Sequence, residues 1–208
     1  LQVFVFDVRQ PRPIIVDGAK MPRTTLAAKE KSLLTAEQLA AIPDLPPCEL
    51  ERGKIKLASP TYFDHGRYEG NFYHLIRSFV EPRNLGKVAV GEVGVITERG
   101  PDTVRGADLV FISRERLARV ESASAYLSAA PDLVVEIKSR SNTAAKLQRK
   151  LDEYFALGVR LVWLAFPRKR IVRAHRSRTD FREYGEMDDL PGEDVLPGFS
   201  EPVSRFFA

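Results

Sequence analysis

Pro131-Asp132-Leu133-Val134-Val135-Glu136-Ile137-Lys138-Ser139 is the stretch on which the reading of this chain turns. Five residues, Leu133 to Ile137, form a nearly continuous apolar run of the kind found in strands covered on both faces, and one carboxylate interrupts it. Downstream, Asn142 and Thr143 lead into a helix through Leu147, Leu151, Tyr154 and Phe155. Gly158 closes that helix, and Arg160 to Phe166 forms another strand. Strand, helix, strand predicts a right-handed crossover between parallel neighbours. Upstream, Thr35 and Gln38 form a capping box for a short helix over 35–42 that Pro43 ends. Residues 49–58 read as a hairpin turning at Gly53, and Tyr68, Phe72, Leu75, Ile76 and Phe79 give the stripe of a helix capped by Asp64 and running to about Val80. Val88 to Ile96 and Ala107 to Ile112 read as paired strands joined through Gly100-Pro101-Asp102, and a last strand covers 171–175. The expected class is α/β (α+β): one domain with a mixed sheet flanked by helices.

That domain is expected over 21–182, followed by an irregular tail over 183–208 that packs on it. Residues 1–20 read as an N-terminal extension from a mis-called start, because the first methionine is Met21; an added edge strand at Val3–Phe6 is the other reading. The chain has 208 residues, 44% hydrophobic and 29% charged, the balance of a soluble globular protein rather than a fibrous or disordered one. Charges or prolines interrupt every apolar run well short of the roughly 18 residues that a membrane span needs. One cysteine, Cys48, and three histidines supply neither an internal disulfide nor a Cys/His zinc site, which suits a reducing cytoplasmic setting. No glycine-rich phosphate loop and no Ser/His/Asp order stands out, so nucleotide hydrolases and serine hydrolases lose support.

The carboxylate inside the core strand is the first chemical signal. Leaving Glu136 ionised in an apolar environment is costly unless something compensates it. Side chains alternate along a strand, so Glu136 and Lys138 share a face while Val135 and Ile137 point the other way. Alone, a Glu-x-Lys pair is also what a salt bridge at a sheet end gives. Asp108, at the start of the apolar run Leu109 to Ile112, adds a second carboxylate that a neighbouring strand would bring beside Glu136. Two hard oxygen donors with a backbone carbonyl and waters suit Mg²⁺, and a nearby ammonium suits the handling of an attacking water.

These residues resemble the PD-(D/E)XK nuclease superfamily, and within it the Uma-two family of restriction-endonuclease-like proteins. The resemblance spans about Thr35 to His175. It rests on Glu49-Leu50-Glu51-Arg52-Gly53, Ser59-Pro60 with His65, Ala107-Asp108-Leu109-Val110, Pro131 to Ser139, and Lys150 and Tyr154 before Gly158-Val159 and Val162-Trp163-Leu164. The family's proline before the aspartate is replaced here by Ala107. The resemblance implies a restriction-endonuclease-like fold and a metal-dependent endonuclease acting on DNA. Asp108, Glu136 and the carbonyl of Ile137 would hold Mg²⁺, for which Mn²⁺ would substitute. Lys138 would serve the attacking water, and Glu49 would match the family's first acidic position. His65, Arg140, Lys146 and Lys150 are candidate contacts to the nucleic acid, and Tyr154 is expected in the core. A catalytically inactive nuclease-fold module that binds nucleic acid is the alternative. A homodimer would supply two sites for two strands.

The charge pattern bears on the same question. The formal net charge is only +4, yet between 138 and 178 twelve basic residues face two acidic ones, a local +10 that leaves −6 on the remainder. Such a stretch fits a face that tracks a phosphate backbone, and it also fits a merely solvated surface.

Overall fold

The computed structural model of the chain describes residues 33–120, 125–139 and 142–208. Arg140 and the expected extension over 1–20 lie outside the described residues. In order, the elements are α1 (Ala36–Ala40), β1 (Cys48–Glu51), β2 (Lys54–Leu57), α2 (Phe63–Val80), β3 (Gly86–Glu98), β4 (Thr103–Ser113) and α3 (Arg114–Leu117). They continue as β5 (Leu133–Ile137), α4 (Ala144–Leu157), β6 (Leu161–Phe166), a 3₁₀ turn (Pro167–Lys169), β7 (Ile171–His175), β8 (Phe181–Tyr184), β9 (Asp189–Pro191), β10 (Ser200–Pro202) and α5 (Val203–Phe206). Eight strands make one sheet in the order β2-β1-β4-β5-β6-β7-β8, with β3 paired to β4 off that path, while β9 and β10 pair separately. β5 and β6 are parallel, Leu133 opposite Leu161 through Ile137 opposite Ala165, and α4 is the crossover between them. The other pairings in the sheet are antiparallel.

The local signals act where the residues lead one to expect. Thr35 caps α1 by accepting from the Gln38 N–H at 3.2 Å, and Gln38 returns the contact to the Thr35 N–H at 3.0 Å, which satisfies two amides that the first turn leaves free. Thr143 caps α4, and Gly158 ends it in the left-handed conformation at φ 102°, a backbone angle glycine adopts without strain. Alternation along β5 divides the core. Leu133, Val135 and Ile137 join α2, Trp163 and the C-terminal segment on one side, while Val134 joins Val110, Val162, Leu151 and Tyr154 beneath α4 on the other. A third, smaller cluster of Leu34, Leu39, Leu50, Ile96 and Val104 closes the α1 end.

Three expectations are corrected. Tyr62, not Asp64, is the N-cap of α2 and makes no side-chain cap; Asp64 sits within the first turn, where its charge favours the positive end of the helix dipole. β3 and β4 pair as expected but run well past the apolar segments, because buried Thr103 and Arg105 continue β4 ahead of Ala107 through residues that read as polar. The tail from 183 is not irregular: it holds β9, β10 and α5, and Leu190, Leu196, Phe199, Val203, Phe206 and Phe207 are all buried. Phe206 lies 4.5 Å from Phe72 between ring centroids, and Trp163 lies 5.8 Å from Phe199. Punctuation by proline and glycine hid this packing, since Pro191, Gly192, Pro197 and Gly198 read as loop while the apolar residues between them fill the core. Residues 33–208 form one compact unit that includes the tail.

A consequence is testable by chemical denaturation. Phe206→Ala should lower the unfolding free energy by about 3 to 5 kcal/mol, the usual effect of removing a fully buried aromatic ring. Met187→Ala, at a side chain 96% exposed, should change it by less than about 0.5 kcal/mol.

Candidate active site

β4 and β5 are antiparallel with Leu109 opposite Val135, so Asp108 and Glu136 occupy the next positions along the two strands. Both carboxylates are buried, Asp108 at 4% and Glu136 at 1% exposure, and each is satisfied differently. One oxygen of Asp108 accepts the backbone N–H of Ile137, which ties the middle of β4 to the end of β5. Its other oxygen lies 3.5 Å from His65 Nε2 on the first turn of α2, and the same imidazole nitrogen is 3.3 Å from Glu69, one turn further along. The hydrogen bonds to Asp108 and Glu69 outweigh partial burial and lift the His65 pKa to about 10, so the ring is an imidazolium at neutral pH.

Glu136 faces α4. Tyr154 donates its hydroxyl to Oε1 at 2.6 Å, and the Lys150 ammonium lies 3.1 and 3.0 Å from the two oxygens. Burial pushes the Glu136 carboxyl up, against the pull of Lys150. Burial equally disfavours the Lys150 ammonium, yet Glu136, Glu49 and Asp108 more than offset it and hold the lysine above its ordinary value. Lys150 and Tyr154 stand four residues apart on one helical face, which is how α4 presents both to one carboxylate. Lys150 also donates to the Gly106 carbonyl at 2.9 Å and pairs with Glu49 at 3.1 Å. Glu49 in turn accepts the Gly106 N–H and Arg105 Nη1, both at 3.1 Å. Arg105, 5% exposed, closes the row with two 2.6 Å bonds to the buried Glu153. Acid and base therefore alternate from Glu136 through Lys150, Glu49 and Arg105 to Glu153.

Glu92 completes the site from β3. The pairing of β3 with β4 slips between Val90 and Val93, and in that bulge Glu92 takes a positive φ of 54°. Its carboxylate rests over Gly106, where a Cβ would come within 2.6 Å of Oε2, so glycine at 106 is what admits it. The Glu92 side chain is exposed overall, yet partial loss of hydration against β4, and next the Asp108 carboxylate, raise its pKa to about 7. One ligand atom each from His65, Glu69, Glu92 and Asp108 lies within 4.8 Å of the others. Ligands on one divalent ion at 2.0–2.6 Å span at most about 4 to 5 Å, so the set has the reach and the hard oxygen donors that Mg²⁺ or Mn²⁺ takes. His65 would join such a shell only as the neutral ring.

Of the residues expected from sequence, Asp108, Glu136, Glu49, His65 and Lys150 come together here. Lys138 does not reach Glu136: it lies one residue past β5, lines a different cavity with Phe166 and Arg168, and among the described residues has no carboxylate at ion-pair distance. The amine on Glu136 belongs to Lys150. Ile137 reaches Asp108 through its N–H. Lys146 is exposed, one turn before Lys150, and Arg140 lies outside the described residues. Tyr154 is in the core, as expected, and also holds Glu136. Sequence reading missed Glu69 and Glu92. Glu69 is four residues after His65, a spacing that puts both on one helical face, whereas Glu92 owes its place to a bulge that alternation does not reveal.

Two outcomes check this geometry. Arg105→Ala leaves buried Glu153 without its partner and should lower stability by about 3 to 5 kcal/mol, readable by urea unfolding, with Glu153→Ala in the same chain recovering part of it. In chelator-treated protein, Glu92→Gln should match the wild type in thermal stability at pH 4.5 and exceed it above pH 7. The sign follows from the raised pKa: the folded chain holds a proton on Glu92 that the unfolded chain releases near 4.5, so the penalty appears as pH rises from 4.5 to 7.

Comparison with known proteins agrees with this architecture. The crystal structure of a protein from Anabaena variabilis, described as a "putative nuclease belonging to DUF820", shares the fold with a TM-score of 0.69 at 19% identity, over 84% of this chain and 97% of that one. No curated protein matches the chain. The model of the Uma2 family, described as "Putative restriction endonuclease", matches residues 35–204, a span that includes every residue of the site from Glu49 to Tyr154. The chain belongs to the Uma2 family.

Proposed function

We propose that the chain is a divalent-metal-dependent endonuclease that hydrolyses phosphodiester bonds in DNA. The observation that carries this reading is the meeting of two buried carboxylates, Asp108 and Glu136 on adjacent strands, with the Lys150 ammonium of α4. The metal, Mg²⁺ or Mn²⁺, would be held by Asp108 with Glu136 beside it and with Glu69, Glu92 and His65 in reach. When bound, such an ion supplies charge stabilisation on the phosphoryl group and a more acidic water.

The chain's own residues then have distinct tasks. Asp108 is fixed by the Ile137 N–H, so its free oxygen keeps one direction. Glu136, held by Tyr154 and Lys150, accepts the proton of an attacking water, and its raised pKa suits that task near neutral pH. Lys150 holds an ammonium beside it and orients the water or the phosphate oxygen; this task passes to it from Lys138 because Lys150 is the lysine that touches Glu136. Glu49 and Arg105 act as positioning residues through Lys150. Among the described residues no helix is long and apolar enough to cross a membrane, and the lone cysteine fits activity in the cytoplasm. A homodimer would bring two sites to the two strands of a duplex.

The test is a plasmid-nicking assay at low salt with Mg²⁺ or Mn²⁺. The native chain should nick DNA and lose the activity in EDTA. Asp108→Asn, Glu136→Gln and Lys150→Met should each reduce the rate by about 10²-fold or more, with far-ultraviolet circular dichroism unchanged. A native chain that retards DNA in a gel with either metal and never cuts it would establish the binding module instead.

A further inference from the structure

The basic stretch of 138–178 is not one charged face. Of its twelve basic residues all but Arg140 are described, and seven of these eleven are held by carboxylates, for instance Arg160 by Asp194, Arg173 by Glu183 and Arg178 by Asp152. Four have no such partner among the described residues: Lys138, Lys146, Arg168 and Lys169. Three of those four converge. Lys138, Arg168 and Lys169 line one cavity of about 480 Å³ with Ser139, Phe166 and Pro167.

The fold holds this cavity in shape. It sits where the parallel strands β5 and β6 end side by side, Ile137 opposite Ala165, with the Lys138 N–H bonded to the Ala165 carbonyl at 2.8 Å. Arg168 and Lys169 ride on the 3₁₀ turn, whose first residue, Pro167, has its φ fixed by its ring. The Arg170 N–H closes that turn on the Pro167 carbonyl at 3.1 Å, and the Arg170 guanidinium fastens it to the Phe207 carbonyl at 3.0 Å and to Glu186 at 2.6 Å. Backbone fixed and side chains solvent-facing is the arrangement that receives an anion without ordering a loop. Lys138 follows Glu136 by two residues, roughly 7 Å along an extended chain, so the cavity lies next to the candidate active site.

We propose that the Lys138–Arg168–Lys169 cavity seats a backbone phosphate of the nucleic acid beside the one that is cut. The proposal rests on the nuclease reading and narrows the contact with DNA to one place in the fold. Guanidinium and ammonium groups without carboxylate partners lose no ion pair on meeting a phosphate, whereas the seven paired residues would have to break one.

Fluorescence anisotropy of a labelled duplex with the full chain in EDTA, from 50 to 200 mM salt, tests it. The double variant Arg168→Gln/Lys169→Gln should bind more weakly than the wild type. The slope of log K against log salt should fall by about 0.9, the contribution of the one phosphate that the cavity no longer neutralises. Lys54→Gln/Lys56→Gln, which removes equal charge from exposed β2, should change the slope far less. In the nicking assay with Mn²⁺ the Arg168/Lys169 variant should raise KM and keep kcat. Equal losses in the two double variants, or an unchanged slope in the first, would overturn the cradle while leaving the nuclease reading intact. A fall in kcat at constant KM would move these residues into the chemistry and overturn it as well. A chain whose affinity shows the predicted slope change but which never cuts would keep the cradle and refute the nuclease; a chain that binds no DNA would refute both.

Discussion

A carboxylate in the middle of a sheet has to be compensated, and the way Glu136 is compensated organises this molecule. The side chain is 1% exposed and has little bulk hydration, so the positive charge and the hydrogen-bond donor come from the protein, as Lys150 and Tyr154. Both lie on α4, which makes the register of that helix on the sheet a condition for burying Glu136 at all. Thr143 and Gly158 fix where α4 begins and ends, and Leu147, Leu151 and Tyr154 fix which face it buries. Lys150 then needs its own acids, Glu49 needs Arg105, and Arg105 needs Glu153. Removing any member exposes its neighbours to the full desolvation penalty of an unpaired charge, so the row locks β1, β4, β5 and α4 to one another.

Asp108 sits at the opposite side of the same problem. It is tied to β5 by the Ile137 N–H and to α2 by His65, and it lies near enough to Glu92 and Glu136 to raise the pKa of each. The protein thus holds several like charges closer than their mutual repulsion favours. A fold that only needed stability would separate them. The arrangement is kept by two backbone devices, the bulge that turns Glu92 inward and the glycine at 106 that leaves room for it, and neither contributes to the hydrophobic core. Strain and repulsion concentrated where the carboxylates meet are what the proposed cation site would cost the fold.

How much of this the sequence discloses depends on whether the signal is periodic. The core strand, the crossover helix with its cap and terminal glycine, and the hairpin at Gly53 all follow from local pattern, because the apolar spacing of each element is undisturbed. Asp108 and Glu136 are legible for the opposite reason: each is a charge where the pattern asks for an apolar side chain. Glu92 and the C-terminal segment are not legible. Glu92 occupies an exposed strand position whose chemistry depends on a bulge two residues long, and the tail's buried phenylalanines are interspersed with prolines and glycines that read as loop. Lys150 shows the limit of a motif: spacing two residues from the glutamate favours Lys138, yet a parallel strand that ends at Ile137 sends Lys138 beyond the sheet, while the helix that follows returns an amine to the carboxylate.

The distribution of charge over the fold then acquires a direction. A polyanion approaching Asp108, Glu69 and Glu92 meets repulsion, and the imidazolium of His65 and the ammonium of Lys150 are each already engaged by two carboxylates or more. Attraction must come from outside that cluster, and most of the basic residues that look available in the sequence are neutralised by acids brought in from distant segments, Asp132, Glu183, Glu193 and Asp194 among them. The local charge of +10 along the chain is therefore not a charge in space. Among the described residues of that stretch, the cations left unpaired are Lys146 on α4 and a cluster of Lys138, Arg168 and Lys169 where β5 and β6 end, the last two on a proline-initiated turn. Under the proposed cradle, a substrate held at that cluster by one phosphate would bring its neighbouring phosphate against the acidic centre, where a bound divalent cation would offset the repulsion.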